Sequence, residues 1–137
     1  MNLESCMDIV LIRVKDLRPH EEIKPKNLEK MINWVEKRGG FFEPVLVDMK
    51  TRTILDGHHR YNSALHLGLE LIPGIEVDYL EDDSIQVKAW PGKEEIVVTK
   101  QSVLSTAESG NLFPPKTSKH TISIDYPQQF FPLEKLR

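Results

Sequence analysis

One cysteine, Cys6, is all that this 137-residue chain carries. A disulfide framework within it is therefore excluded, and so are most cysteine-built metal sites. Cys6 also lies at a terminus expected to fray, which argues against a nucleophilic Cys–His pair. Histidines at the i, i+4 spacing of a helical zinc site are lacking as well; His58 and His59 are adjacent and must point in different directions. No Walker motif, GxGxxG run, internal repeat or low-complexity tract occurs. No apolar run approaches membrane-span length, and no signal-peptide pattern opens the chain. A cytoplasmic protein without a membrane partner is the expectation. Positive charge is not in excess: 18 Lys and Arg face 21 Asp and Glu, for a net charge of −3. A dedicated nucleic-acid binder needs a basic face to neutralise phosphates, so that class is disfavoured.

What remains is the composition of an ordinary soluble domain, 39% hydrophobic and 28% charged. The length suits one core, and residues 1–137 are expected to form one domain. Residues 7–14 are dense in β-branched side chains and predict a first strand. Residues 15–25, with Pro19 and Pro25, form a loop. Leu28, Met31, Ile32 and Val35 share one face of a helix over 26–38, stopped by Gly39-Gly40. Residues 44–48 and 53–55 predict a hairpin around the polar turn 49–52. A helix through Leu67 follows, with Tyr61, Ala64 and Leu65 at buried-face spacing and Gly68 as its stop. Strands are expected near 74–79 and 85–90, and a short helix capped by Thr99 holds Val103, Leu104 and Ala107. The stretch 111–137 has little periodicity, but its aromatics Phe113, Tyr126, Phe130 and Phe131 predict that it packs back onto the domain. The resulting class is α+β, a small mixed sheet flanked by helices.

The stretch with most chemical content is Asp56-Gly57-His58-His59-Arg60, at a strand-to-helix turn. Gly57 permits a tight turn and close backbone approach. A helix start offers unpaired N–H groups and a positive dipole end, which suits a phosphate. Arg60 adds a forked cation, and Asp56 is an acceptor for a hydroxyl or a metal-bound water. The plain alternative is an Asp N-cap and a surface Arg. Three other places stand beside it. The loop Pro19-His20-Glu21-Glu22 offers carboxylates for general-base work, or is a solvated acidic turn. The run Pro115-Lys116-Thr117-Ser118-Lys119-His120 is an anion-contacting loop or a polar turn. Trp90, at a strand end before Pro91-Gly92, walls a pocket or fills the core. Magnesium held mostly by phosphates and water, with one carboxylate, is the metal chemistry these residues leave open.

Taken in order, the Pro19-His20-Glu21 loop, the Pro44 strand, Asp56 to Arg60, the Trp90 strand end, Pro115 to His120 and the ending Leu133 to Leu136 resemble the free L-serine kinases of the ParB/sulfiredoxin-like superfamily. The resemblance implies transfer of a phosphoryl group from ADP or ATP, with Mg2+, to the hydroxyl of free L-serine, giving O-phosphoserine. That product can feed cysteine synthesis. It implies Glu21 as catalytic base and Asp56 beside the reacting hydroxyl and at the metal. Gly57, His58, His59 and Arg60 would surround the donor phosphates. Trp90, Lys116, Thr117 and His120 would line the serine pocket or contact its carboxylate and the phosphate. The implied partners are thus L-serine and a nucleotide, with no nucleic acid.

Two departures from the family pattern stand out. Better-known members carry a longer segment between the Trp strand and the PKT run, reduced here to residues 93–111. Ser118-Lys119 also replaces an expected Thr-Arg, and lysine lacks the bidentate fork. Sulfiredoxin chemistry would need a cysteine at His58, which this chain lacks. A ParB-like regulatory or DNA-associated module without kinase activity is the alternative from another class; it would need a helix-turn-helix region and a basic face.

Overall fold

Val45–Asp48 (β3) is buried at all four positions, the mark of a strand covered on both faces. In this computed structural model, which describes residues 7–123 and 125–137, β3 lies inside a four-stranded mixed sheet. Cys6 falls outside the described residues. The sheet order is β1 (Val10–Arg13), β5 (Leu71–Val77), β3, β4 (Ile54–Asp56). β1 and β4 run antiparallel to their neighbours, and β3 and β5 run parallel. The parallel pair needs a crossover, and β4 with helix α2 (His58–His66) supplies it.

Alternation along the strands sorts the apolar residues into two cores. Ile12, Val45, Val47, Ile54 and Ile72 pack with Val35 of α1 (Pro25–Arg38) and with Tyr61 and Ala64 of α2. Leu46, Leu55, Ile75 and Val77 pack with Tyr79, Ile85 and with Val103 and Leu104 of α3 (Lys100–Ser109). Pro25 opens α1, where a missing N–H costs nothing. Gly39 closes it in the left-handed region, its N–H returning to Val35 O. Thr99 caps α3 through a reciprocal bond with Ser102.

The predicted hairpin, the Thr99 cap and both glycine stops agree with the structure. Leu65 does not: it is exposed, because α2 turns Tyr61, Ser63 and Ala64 inward. The strand expected near residue 74 begins at Leu71. The larger difference lies in 111–137, which does pack back but contributes strands. Ser118–Ile122 (β7) pairs antiparallel with Ile85–Ala89 (β6). Phe131–Pro132 (β8) pairs with Gly40–Phe41 (β2), and Leu136 is fully buried. β7 gave no apolar alternation because Ser118 and His120 turn to polar partners.

Candidate active site

A loop held on three sides carries Glu21. On one side Arg18 N–H donates to Arg52 O, and Ile54 N–H donates to Arg18 O. On another, Phe113 N–H donates to His20 O, and Glu22 N–H donates to Phe113 O. On the third, the His20 backbone N–H donates to His58 Nε2 at 3.1 Å, and Lys24 N–H donates to His59 Nε2 at 3.1 Å. The adjacent histidines do point apart, and both fasten the same loop. Glu22 is exposed, whereas Glu21 turns inward.

The Glu21 carboxylate is anchored by one oxygen. Oε1 accepts from Thr117 N–H at 3.1 Å, Ser118 N–H at 2.8 Å and the Ser118 hydroxyl at 2.9 Å. Burial pushes the carboxyl pKa up, while the bonds from Ser118 and Thr117 pull it back. With Oε1 taken up, Oε2 is the oxygen left for a proton.

The start of α2 lines the same cavity as Glu21. Gly57, at φ 104°, is its N-cap and supplies no side-chain cap, so the first N–H groups lack such a partner. A Cβ at Gly57 would come within 2.7 Å of Val45 Cγ1 and 3.0 Å of Arg60 Nη1. Only glycine suits both the angle and the space. Between Glu21 and this helix start is a cavity of about 350 Å³. Asp56 to Arg60 line it, with Glu21, Trp90, Lys116, Ser118, Lys119 and His120.

Cations dominate the wall. Lys119 Nζ lies 4.9 Å from the centre of the Trp90 ring and Lys116 Nζ 6.0 Å. Trp90 is thus a half-exposed wall rather than core filling. Arg60 reaches the cavity with two donors already engaged: Nη1 to Pro44 O at 3.0 Å and Nη2 to Glu43 Oε2 at 3.1 Å. Asp56 is exposed at the end of β4 and lines the same space. Among the described residues no group of three His, Cys, Asp or Glu could hold a metal. A single carboxylate facing a phosphate-sized space instead fits magnesium held mainly by phosphates and water.

Thr117 is the residue the structure moves away from its expected place. Its side chain is fully buried, and Oγ1 donates to Pro114 O at 2.7 Å. Lys116 precedes it at φ 53°, and this tight turn points the Thr117 hydroxyl back into the chain. Thr117 contributes its backbone N–H to Glu21, not a hydroxyl to the cavity. His58 lines the cavity, and its buried ring also accepts the His20 backbone N–H.

The sequence places His20 and Ser118 within candidate loops, Ser118 as one hydroxyl of an anion-contacting run, without a contact to Glu21 for either. His20 is fully buried; its Nδ1 bonds Ile54 O at 2.7 Å and its Nε2 meets Ser118 Oγ at 2.8 Å. Burial lowers its pKa to about 4. His120 bonds Tyr79 OH through Nε2 at 2.8 Å, and burial lowers it to about 3, with His20 adding to the fall. The signal for these residues was their place beside Glu21 and Lys116 in two short polar motifs; nothing in the motifs announced burial.

Comparison with known proteins gives no matching family model. A ParB-like protein of Sulfolobus acidocaldarius is 40% identical over 76 residues, which is 56% of this chain and 37% of that protein. An ATP-dependent L-serine kinase of Staphylothermus marinus is 34% identical over 85 residues, 59% of this chain and 33% of that one. An ADP-dependent L-serine kinase of Thermococcus kodakarensis is 36% identical over 90 residues, 61% and 36% respectively. Each match spans about a third of the relative's length. Among solved structures, a free serine kinase in complex with AMP superposes with a TM-score of 0.85 at 19% identity, covering 96% of this chain and 95% of that one. A conserved hypothetical protein of Pyrococcus furiosus superposes at 0.84 and 19%, covering 96% and 98%. The chain therefore has the fold of the free serine kinases, an α+β arrangement with a mixed sheet and helices on both faces.

Proposed function

We propose that this chain is a kinase for free L-serine, moving a phosphoryl group from ADP or ATP to the serine hydroxyl. One observation carries the reading: a carboxylate on a hydrogen-bonded loop and a helix start without a side-chain cap line one cavity together with several cations. The sequence relatives whose printed names are L-serine kinases support the substrate class.

The N–H groups at the start of α2 and the Lys116 and Lys119 ammoniums take the negative oxygens of the transferring phosphoryl group. Arg60, braced by Pro44 and Glu43, adds charge at the same wall. Glu21 accepts the serine proton on Oε2: the substrate O–H bond breaks, the Oε2–H bond forms, and the freed oxygen pair is directed at phosphorus. Attack from the Glu21 side, with the phosphorus–oxygen bond to the nucleotide breaking and AMP or ADP leaving toward α2, would meet the in-line requirement. Asp56 is the carboxylate that would hold Mg2+, which supplies charge neutralisation on the nucleotide when bound. Trp90 closes the serine side, where Lys116 and His120 meet the amino acid or the phosphate it gains.

The alternative of a ParB-like module without kinase activity has less support. The net charge of −3 offers no electrostatic footprint for nucleic acid. The deciding experiment incubates the chain with L-serine, Mg2+ and either ADP or ATP, and measures phosphoserine. Product with one donor is the expected result. Nucleotide binding without product from either donor would overturn the kinase reading.

A further inference from the structure

We propose that the Ser118 hydroxyl is a two-position donor, bonding Glu21 while that carboxylate is ionised and turning to His20 when Glu21 takes up a proton. The inference rests on Glu21 being the base, and it assigns Ser118 and His20 as positioning residues for that base.

Proton counting leads to it. Ile54 O can only accept, so His20 Nδ1 carries the hydrogen of the 2.7 Å bond. In a neutral imidazole Nε2 is then a bare acceptor, and burial keeps this imidazole neutral by lowering its pKa to about 4. Ser118 Oγ lies 2.8 Å from that nitrogen and 2.9 Å from Glu21 Oε1. Two acceptors therefore face one hydroxyl proton. An ionised carboxylate wins it, because bonds to a charged acceptor are about twice as strong as neutral ones. Once Oε2 accepts the substrate proton, Oε1 becomes a neutral carbonyl oxygen. It still holds the Thr117 and Ser118 N–H groups. The imidazole nitrogen is then the better acceptor, and a rotation about the Ser118 Cβ–Oγ bond transfers the donor. No covalent bond changes in that rotation. The protonated base is thereby stabilised, which favours removal of the substrate proton.

Other charged groups surround the pair and are unchanged in the test variants. They are His58, His59 and Arg60 from α2, Asp56 from β4, Lys116 from the preceding turn, and Lys119 and His120 from β7.

The test is a carbon-13 NMR titration of the Glu21 carboxyl in the full chain, assigned by its loss in Glu21→Gln. It needs no substrate, so its outcome is separate from whether serine is the acceptor. Ser118→Ala removes the stronger bond from the ionised state and should raise the Glu21 pKa by about one unit. His20→Asn keeps a donor toward Ile54 O but removes the Nε2 acceptor, and should lower the Glu21 pKa. In the double variant His20→Asn should add nothing to Ser118→Ala, since the hydroxyl that couples them is gone. Ser118→Thr and His20→Gln preserve hydroxyl and acceptor and should stay near the parent value. The acid limb of kcat/KM should move with the NMR values. Shifts of the same sign in Ser118→Ala and His20→Asn would overturn the proposal, as would a His20→Asn effect that persists without the hydroxyl. If Ser118→Ala does not fold, His20→Asn against His20→Gln decides: equal shifts in that pair reject the two-position donor, and a fall confined to His20→Asn sustains it.

Discussion

His58 Nε2 accepts the backbone N–H of His20, and that bond ties the start of α2 to the loop that carries Glu21. The two ends of the proposed reaction, phosphate side and base side, are thus held at a fixed separation. His58→Leu would leave a buried N–H without a partner, which costs about 1–3 kcal/mol. Urea unfolding should show that loss. Turnover should fall as well, with donor KM less affected than kcat, because it is the base that goes out of place.

Glu21→Gln keeps shape and hydrogen bonding but removes basicity. The expected drop in kcat is roughly 10²–10⁴-fold with nucleotide affinity nearly unchanged. The exposed Glu22 gives the control, and Glu22→Gln should behave as the parent. Near-parent turnover in Glu21→Gln, with chemistry shown to limit the rate, would remove Glu21 from the mechanism and make Asp56 the base to examine.

Thr117 separates a buried structural role from a substrate contact. Thr117→Val keeps the volume and deletes the bond to Pro114 O, at a cost of about 0.5–1.5 kcal/mol and more if the oxygen stays unpaired. Serine KM should move little. A serine KM rising tenfold or more (about 1.4 kcal/mol) with unchanged stability would place the hydroxyl at the substrate after all.

Acid should destabilise the fold through its histidines. Imidazolium forms in the unfolded chain below about pH 6.5. In the fold, burial holds His20 near 4, His120 near 3 and His58 well below its ordinary value. Protons are therefore taken up by the unfolded state first. Stability is intact above about pH 6.5 and declines toward pH 4, by up to about 1.4 kcal/mol per pH unit for each histidine. Glu21 acts with the opposite sign: its raised value lets the folded state bind a proton before the unfolded one, which offsets part of the loss as the pH falls toward 4.5. His120→Gln should flatten the acid slope by about one proton in denaturant titrations at stepped pH.

Local pattern made much of this legible. Apolar spacing placed α1 and the β3–β4 hairpin, Thr99 marked its own cap, and the Asp56 to Arg60 turn identified the helix start. Where the sequence reading departed from the structure, long-range contact overrides local preference. Ser118 and His120 belong to a strand because β6 pairs with them, although their own stretch has no apolar alternation. Thr117 reads as a pocket residue by its company, yet the turn after Lys116 buries it. His20 reads as a loop histidine, and only distant partners at Ile54 and Ser118 fix its buried place.

Glu21 and the Ser118 N–H that holds it are 97 positions apart in the chain. The helix start that would receive phosphate is built from neighbours: β3, its hairpin partner β4 and α2 follow one another directly. Closing a long loop costs entropy that short-range pairing avoids, so the Glu21 half of the site carries a closure cost that the α2 half does not. The start of α2 is a local unit, whereas the Glu21 carboxylate keeps its anchor only while Thr117 and Ser118 stand beside it.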